Sequence, residues 1–203
     1  MKSVLGAVLT ASLLLSAPLA LAEDHKKKDH VQEIGLAVGK AVPTVEDEAI
    51  GVVSSAGDVT SLPALMGEKG VTVAFVRSAD WCPYCKKQMI DLDKIAPQLE
   101  KLGFPLVALS YDAPETLAKF KEKHELSYTF VSDTDSANIK AFGLLNEKYE
   151  VGSRAYGIPH PAVMVISSDN VIVEKLMEEG YKKRPASEAV LEAVQSVQQE
   201  TVE

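Results

Sequence analysis

The order of apolar patterns along this sequence predicts an α/β domain in which a central mixed β-sheet carries helices on both faces. Three observations carry that prediction. Short β-branched and aromatic runs alternate with stretches of three- and four-residue apolar spacing. The last two β-rich runs are joined by a three-residue polar turn, so at least one strand pair is antiparallel. The only two cysteines of the 203 residues, Cys82 and Cys85, stand where a strand pattern gives way to a helix pattern.

At the start of the chain, Met1 and Lys2 open onto an apolar run from Val4 to Leu15, and Ala20-Leu21-Ala22 has the small-x-small form of a cleavage site. Residues 1–22 therefore read as a secretory signal peptide. Pro18 interrupts the run, which is shorter than the roughly 20 apolar residues of a bilayer span. The expected location is the periplasm or the exterior, with no stable membrane insertion after cleavage. Residues 23–40 read as a charged, flexible leader, in which His25 and His30 lack the fixed geometry a metal site requires. Residues 41–203 are then one domain, long enough to bury a full core without a disulfide staple.

Within that domain, Ala41 to Asp58 holds short apolar pieces broken by Pro43, Gly51 and Gly57, which suit edge strands or a small hairpin. Val71 to Arg77 reads as a buried strand. After the cysteines, Met89, Leu92, Ala96, Leu99 and Leu102 give a helix one buried face, which Pro97 should kink or end early. Gly103 stops it, and Pro105 to Ser110 is the next strand. A helix from Pro114 turns Leu117 and Phe120 inward, Tyr128 to Val131 is a short strand, and Ser136 to Phe142 a short helix. Gly143 to Gly157 has no clear period. Ala162 to Ile166 and Val171 to Val173 form a hairpin about Ser168-Asp169-Asn170, and Ala186 to Gln199 is a final amphipathic helix.

The chemistry is concentrated in Trp81-Cys82-Pro83-Tyr84-Cys85. With Pro83 at the first helical position, where its missing N–H costs nothing, Cys82 lies at a helix N-terminus whose unpaired amides and dipole favour a thiolate. A disulfide between residues three apart closes too small a loop to add much stability, so the pair suits redox cycling better than stapling. Cys82 and Cys85 are the candidate catalytic residues, with Trp81, Pro83 and Tyr84 as walls for a substrate. Lys86 and Lys87 suit a solvated helix face. The net charge of −8 disfavours nucleic acid and anionic membrane as partners. The sequence has no haem, flavin or nucleotide motif, so no cofactor is expected, and no metal.

The residues from Val73 to Lys86 resemble the active site of the thioredoxin superfamily. The inserted strand and helix, together with Leu106 to Asp112, Ser132-Asp133 and Ala141-Phe142-Gly143, resemble its redoxin branch of peroxiredoxins (alkyl hydroperoxide reductase and thiol-specific antioxidant type) and periplasmic thiol-disulfide oxidoreductases. The resemblance spans roughly Ala41 to Gln199 and implies a thioredoxin-like fold. Peroxiredoxins carry a threonine three residues before the peroxidatic cysteine and an arginine before the hairpin strand. If Cys85 is the peroxidatic residue, Cys82 and Pro161 occupy those two places. A proline at the second is what dithiol oxidoreductases carry, in the cis form, facing the disulfide. Pro159 and Pro161 compete for that role, Pro161 fitting better, and His160 would then lie beside the dithiol as a possible thiolate partner.

Three functions follow as expectations. The first is an exported thiol-disulfide oxidoreductase in which Cys82 attacks and Cys85 resolves, working on protein or small-molecule thiols and disulfides with a redox partner protein. The alternative is a peroxiredoxin-like thiol peroxidase, an antioxidant in which one of the two cysteines is oxidised to a sulfenic acid and resolved by the other. The third is a copper metallochaperone with Cys82, Cys85 and a histidine such as His160 as soft ligands.

Overall fold

The structure, a computed structural model, describes residues 33–43, 52–180 and 182–200. The signal peptide and most of the charged leader, with His25 and His30, lie outside the described residues. Among the described residues no helix is long and apolar enough to cross a membrane.

Seven strands form one mixed sheet: β1 (Val52–Ser54), β2 (Val59–Thr60), β3 (Gly70–Phe75), β4 (Leu106–Ser110), β5 (Thr129–Ser132), β6 (Ala162–Ser167) and β7 (Ile172–Leu176), in the order β2-β1-β5-β4-β3-β6-β7. β3, β4 and β5 are parallel; the flanking pairs β3–β6, β6–β7, β1–β5 and β1–β2 are antiparallel. Every residue of β3 and β4 is buried, as expected of strands covered on both faces. Alternation along β3 divides the core in two: Ala74 and Val76 face one apolar cluster, and Val71, Val73 and Phe75 face the other.

The first cluster is roofed by α1 (Pro83–Asp93), α2 (Ala96–Lys101), α3 (Pro114–Lys123) and α5 (Ser187–Glu200), which bury Met89, Leu92, Leu99, Leu117, Val190 and Val194. The second lies under α4 (Ala137–Ala141), which turns Ile139 inward, with the Phe142 ring just beyond its end tilted against Phe75 at a centroid distance of 4.9 Å. The helix expected after the dithiol is broken, as Pro97 requires: α1 ends at Asp93, and Pro97 falls in the first turn of α2, where the lack of an N–H is harmless. The predicted hairpin is β6–β7, and the final helix begins at Ser187.

Gly70 starts β3 at φ +150°, and a Cβ there would sit 1.9 Å from the Ile166 carbonyl oxygen across the β3–β6 ladder. Gly70→Ala is therefore expected to cost at least about 2 kcal/mol, from backbone strain and a displaced ladder bond together. Urea unfolding checks it; a midpoint unchanged from wild type would mean that the strand start is not held where it is described.

Candidate active site

β3 ends at Phe75, and the chain then turns through Arg77–Trp81 into the first turn of α1. Asp112, beyond the neighbouring strand β4, shapes that turn. Its carboxylate accepts hydrogen bonds from the Ala79 N–H (2.6 Å), Ser78 Oγ (2.9 Å) and Ser110 Oγ (2.8 Å). Ser78 Oγ in turn accepts from the N–H groups of Asp80 (3.0 Å) and Trp81 (3.3 Å). A loop that would otherwise bury unpaired backbone donors is thus satisfied by one buried carboxylate and one hydroxyl. Burial pushes the Asp112 carboxyl above its ordinary pKa, against the three hydrogen bonds that lower it.

The turn delivers Cys82 to the N-cap of α1 with extended backbone angles (φ −95°, ψ 102°), followed by Pro83 at the first helical position, as the sequence predicts. Cys82 Sγ takes the capping role, accepting the Cys85 N–H at 3.2 Å. Cys82 and Cys85 form a disulfide across a Cα–Cα distance of 5.3 Å and are buried, at 2% and 0% exposure. Pro83 and Tyr84 are exposed beside them, and Trp81 is half-buried.

The Trp81 side chain is held by two neighbours, Tyr111 and Arg77. Its indole N–H donates to Tyr111 Oη at 3.0 Å; that hydroxyl donates to the Arg154 carbonyl at 2.9 Å, and burial raises its pKa. The Arg77 guanidinium lies 5.1 Å from the Trp81 ring centroid and 5.7 Å from that of Tyr149, and its Nη2 donates to Tyr149 Oη at 3.0 Å. Trp81 is therefore part of a packed aromatic and cationic stack.

The side chain placed on the sulfurs comes from the far end of the chain. Arg184, between β7 and α5, brings Nη2 to 3.2 Å from Cys85 Sγ and 3.9 Å from Cys82 Sγ. Burial, with the charge of Arg77 nearby, lowers the Arg184 pKa to about 10, so it remains a cation at neutral pH. A guanidinium against a buried sulfur favours the thiolate that forms on reduction.

Pro161 precedes Ala162, which pairs with Phe75, so it stands at the end of the sheet from which the dithiol turn departs. The expected cis bond is corrected: among the described residues no peptide bond is cis. The segment is held extended instead, with Leu145 bridged to Pro159 and the His160 N–H bonded to the Leu144 carbonyl at 2.6 Å, and the trans form is the lower in energy for an ordinary X–Pro bond. His160 and Pro161 line a cavity of about 650 Å³ that also takes in Tyr149, the residue bonded to Arg77. Among the described residues no group of three or more His, Cys, Asp and Glu side chains could hold a metal ion.

Arg184, Asp112, Arg77, Tyr111 and Tyr149 are the site residues that sequence reasoning missed. Tyr111 and Asp112 carried a usable signal, since polar residues at the carboxyl end of a parallel strand border the usual site of an open α/β sheet. Arg184 carried none: in Lys182-Lys183-Arg184 it reads as solvated surface.

Known proteins resemble this chain in sequence and in fold. The profile described as the AhpC/TSA family matches residues 38–175. Peroxiredoxin Bcp of Escherichia coli is 33% identical over 116 residues, covering 57% of this chain and 72% of that protein. A structure of peroxiredoxin Q from Xanthomonas campestris superposes with a TM-score of 0.64 at 25% identity, covering 78% of this chain and 98% of that one. Peroxidoxin BcpB of Mycobacterium tuberculosis gives a TM-score of 0.65, covering 81% of this chain and 99% of that one; at 19% identity it supports the thioredoxin-like fold alone.

Proposed function

Because this chain belongs to the AhpC/TSA family, we propose that it is a thiol peroxidase in which Cys85 is oxidised by a hydroperoxide and Cys82 resolves the product. The comparisons favour this over the oxidoreductase reading that the dithiol alone suggests. The observation that carries the assignment of Cys85 is the Arg184 guanidinium 3.2 Å from its sulfur. By the family resemblance Pro161 stands where peroxiredoxins place an arginine, and Arg184 brings the same charge from elsewhere in the chain.

In the cycle, the Cys85 thiolate attacks the distal oxygen of the hydroperoxide. The O–O bond breaks, the alkoxide leaves and takes a proton as the alcohol, and Cys85 becomes a sulfenic acid. The Cys82 thiol then displaces water from that sulfur and gives the observed disulfide. Two electrons from an external dithiol, a small molecule or a partner protein, restore both thiols. Arg184 lowers the thiolate's energy in the first step, while Asp112 and Ser78 hold the turn that sets Cys82 against Cys85.

The test is chemical trapping. In Cys82→Ser, hydrogen peroxide with dimedone should give one stoichiometric adduct on Cys85, read by mass spectrometry; no adduct under conditions that oxidise the wild-type dithiol would refute the assignment. Arg184→Met should raise the Cys85 thiol pKa and slow peroxide consumption at neutral pH by about 10- to 100-fold, the scale of one charge-assisted hydrogen bond. Ultraviolet thiolate titration and stopped-flow kinetics check both effects.

A second reading, thiol-disulfide exchange begun at Cys82, is favoured by that sulfur's place at the helix N-cap. Under it Cys82→Ser would lose insulin reduction while trapping no sulfenic acid at Cys85. The signal-peptide pattern of residues 1–22 supports placing the enzyme in the periplasm or outside the cell.

A further inference from the structure

Two cavities are lined by residues named above, and they differ in charge. The one holding His160 and Pro161 is rimmed by Glu33, Glu147, Glu178 and Glu179 against Lys148. The other, about 440 Å³, lies between α1 and the segment entering α5, and Arg184 forms part of its wall. Lys87, Lys94, Lys182 and Arg184 border it against only Asp91 and Glu188. Asp91 is already shared by two of those cations: Lys94 lies 2.7 Å from one of its oxygens, and Lys87 is paired with the other. In a chain of net charge −8, this is a local surplus of positive charge. Tyr84, Leu92, Pro185 and Ala186 give the same cavity an apolar part. Its volume lies within the range of small-molecule sites.

Gln88 is the second observation. It lines this cavity one helical turn after Cys85, is 4% exposed, and neither its Oε1 nor its Nε2 has a hydrogen-bond partner. Leaving both ends of an amide buried and unpaired is destabilising, so stability alone gives no reason for a glutamine here. An amide N–H pair together with nearby lysines is a donor set suited to a carboxylate.

We propose that this cavity binds the carboxylate of a small co-substrate, with Gln88 and Lys182 as its donors and the Tyr84 and Leu92 side as the seat of its apolar body. Arg184, which both walls the cavity and touches Cys85 Sγ, places such a ligand one side chain from the reacting sulfur. The proposal rests on the thiol-peroxidase reading for its use but not for its binding. The same carboxylate chemistry could belong to the oxidant, as a hydroperoxide of a carboxylic acid, or to the reductant, as a carboxylated thiol.

The test separates those possibilities. With the full disulfide-bonded protein, 3-(methylthio)propanoate, which cannot react, should shift the Gln88 side-chain amide resonances saturably, and its methyl ester should not. The response should be lost in Lys182→Glu, a substitution at an exposed site. In turnover, linoleate hydroperoxide against its methyl ester, and 3-mercaptopropionate against 2-mercaptoethanol, give one ratio each. About a tenfold preference for the acid in either pair, falling toward one in Lys182→Glu and Gln88→Leu, supports the site and names its user. Gln88→Leu should also raise Tm, because it removes a buried unpaired amide. No amide shift with the acid, or equal shifts with acid and ester, would overturn the proposal. Amide binding without any peroxide reactivity would instead retain the cavity and reject the peroxidase reading.

Discussion

Cys85→Ser should abolish the reaction with hydrogen peroxide, a loss of at least about a thousandfold in the second-order rate constant, as expected when the nucleophile itself is removed. The fold should survive. The Cys85 side chain is fully buried, but serine is smaller and can still donate or accept at that point of the α1 first turn. The disulfide that is lost closes a loop of only three residues and contributes little stability. Far-ultraviolet circular dichroism and a urea midpoint close to that of Cys82→Ser would separate lost chemistry from lost structure. If Cys85→Ser kept fast peroxide reduction while Cys82→Ser lost it, the two cysteines would have to exchange roles, and Arg184 would be serving the resolving sulfur.

Asp112→Ala should be the most destabilising change at the site. It leaves the Ala79 amide and the hydroxyls of Ser78 and Ser110 without their buried acceptor, and it leaves a small cavity beneath the turn. A loss of about 3 kcal/mol or more in urea unfolding is expected. Asp112→Asn, which keeps one acceptor oxygen, should lose less. Because Ser78 also anchors the amides of Asp80 and Trp81, the surviving folded Asp112→Ala protein should form its disulfide more slowly after oxidation. A stability change below about 1 kcal/mol would mean that the turn is held by something other than this carboxylate.

Most of the framework is legible in the sequence, for physical reasons that name themselves. β3 and β4 are continuous apolar runs because both faces of the parallel centre are covered, and α5 announces itself by Ala189, Val190, Ala193, Val194 and Val197 at helical spacing. Pro97 marked the break between α1 and α2, since no helix interior tolerates it easily. The dithiol was legible because two lone cysteines at a strand-to-helix boundary have few other uses. Arg184 was not: it lies 99 residues from Cys85 in a basic run, and only the return of the chain after β7 lays it over the sulfurs. The trans Pro161 was equally hidden, because the bonds that hold its neighbours, from Leu144 and Leu145, come from a loop without periodicity.

The central claim is that the Cys85 thiolate, activated by Arg184, reduces hydroperoxide. The most direct test is the stopped-flow reaction of the fully reduced wild-type protein with hydrogen peroxide at neutral pH. The account predicts a rate constant at least about a hundredfold above that of a free cysteine thiolate, carried by Cys85 and falling in Arg184→Met. A wild-type rate no faster than a free thiol's, alongside brisk reduction of insulin disulfides, would contradict it and leave Cys82-centred thiol-disulfide exchange as the function.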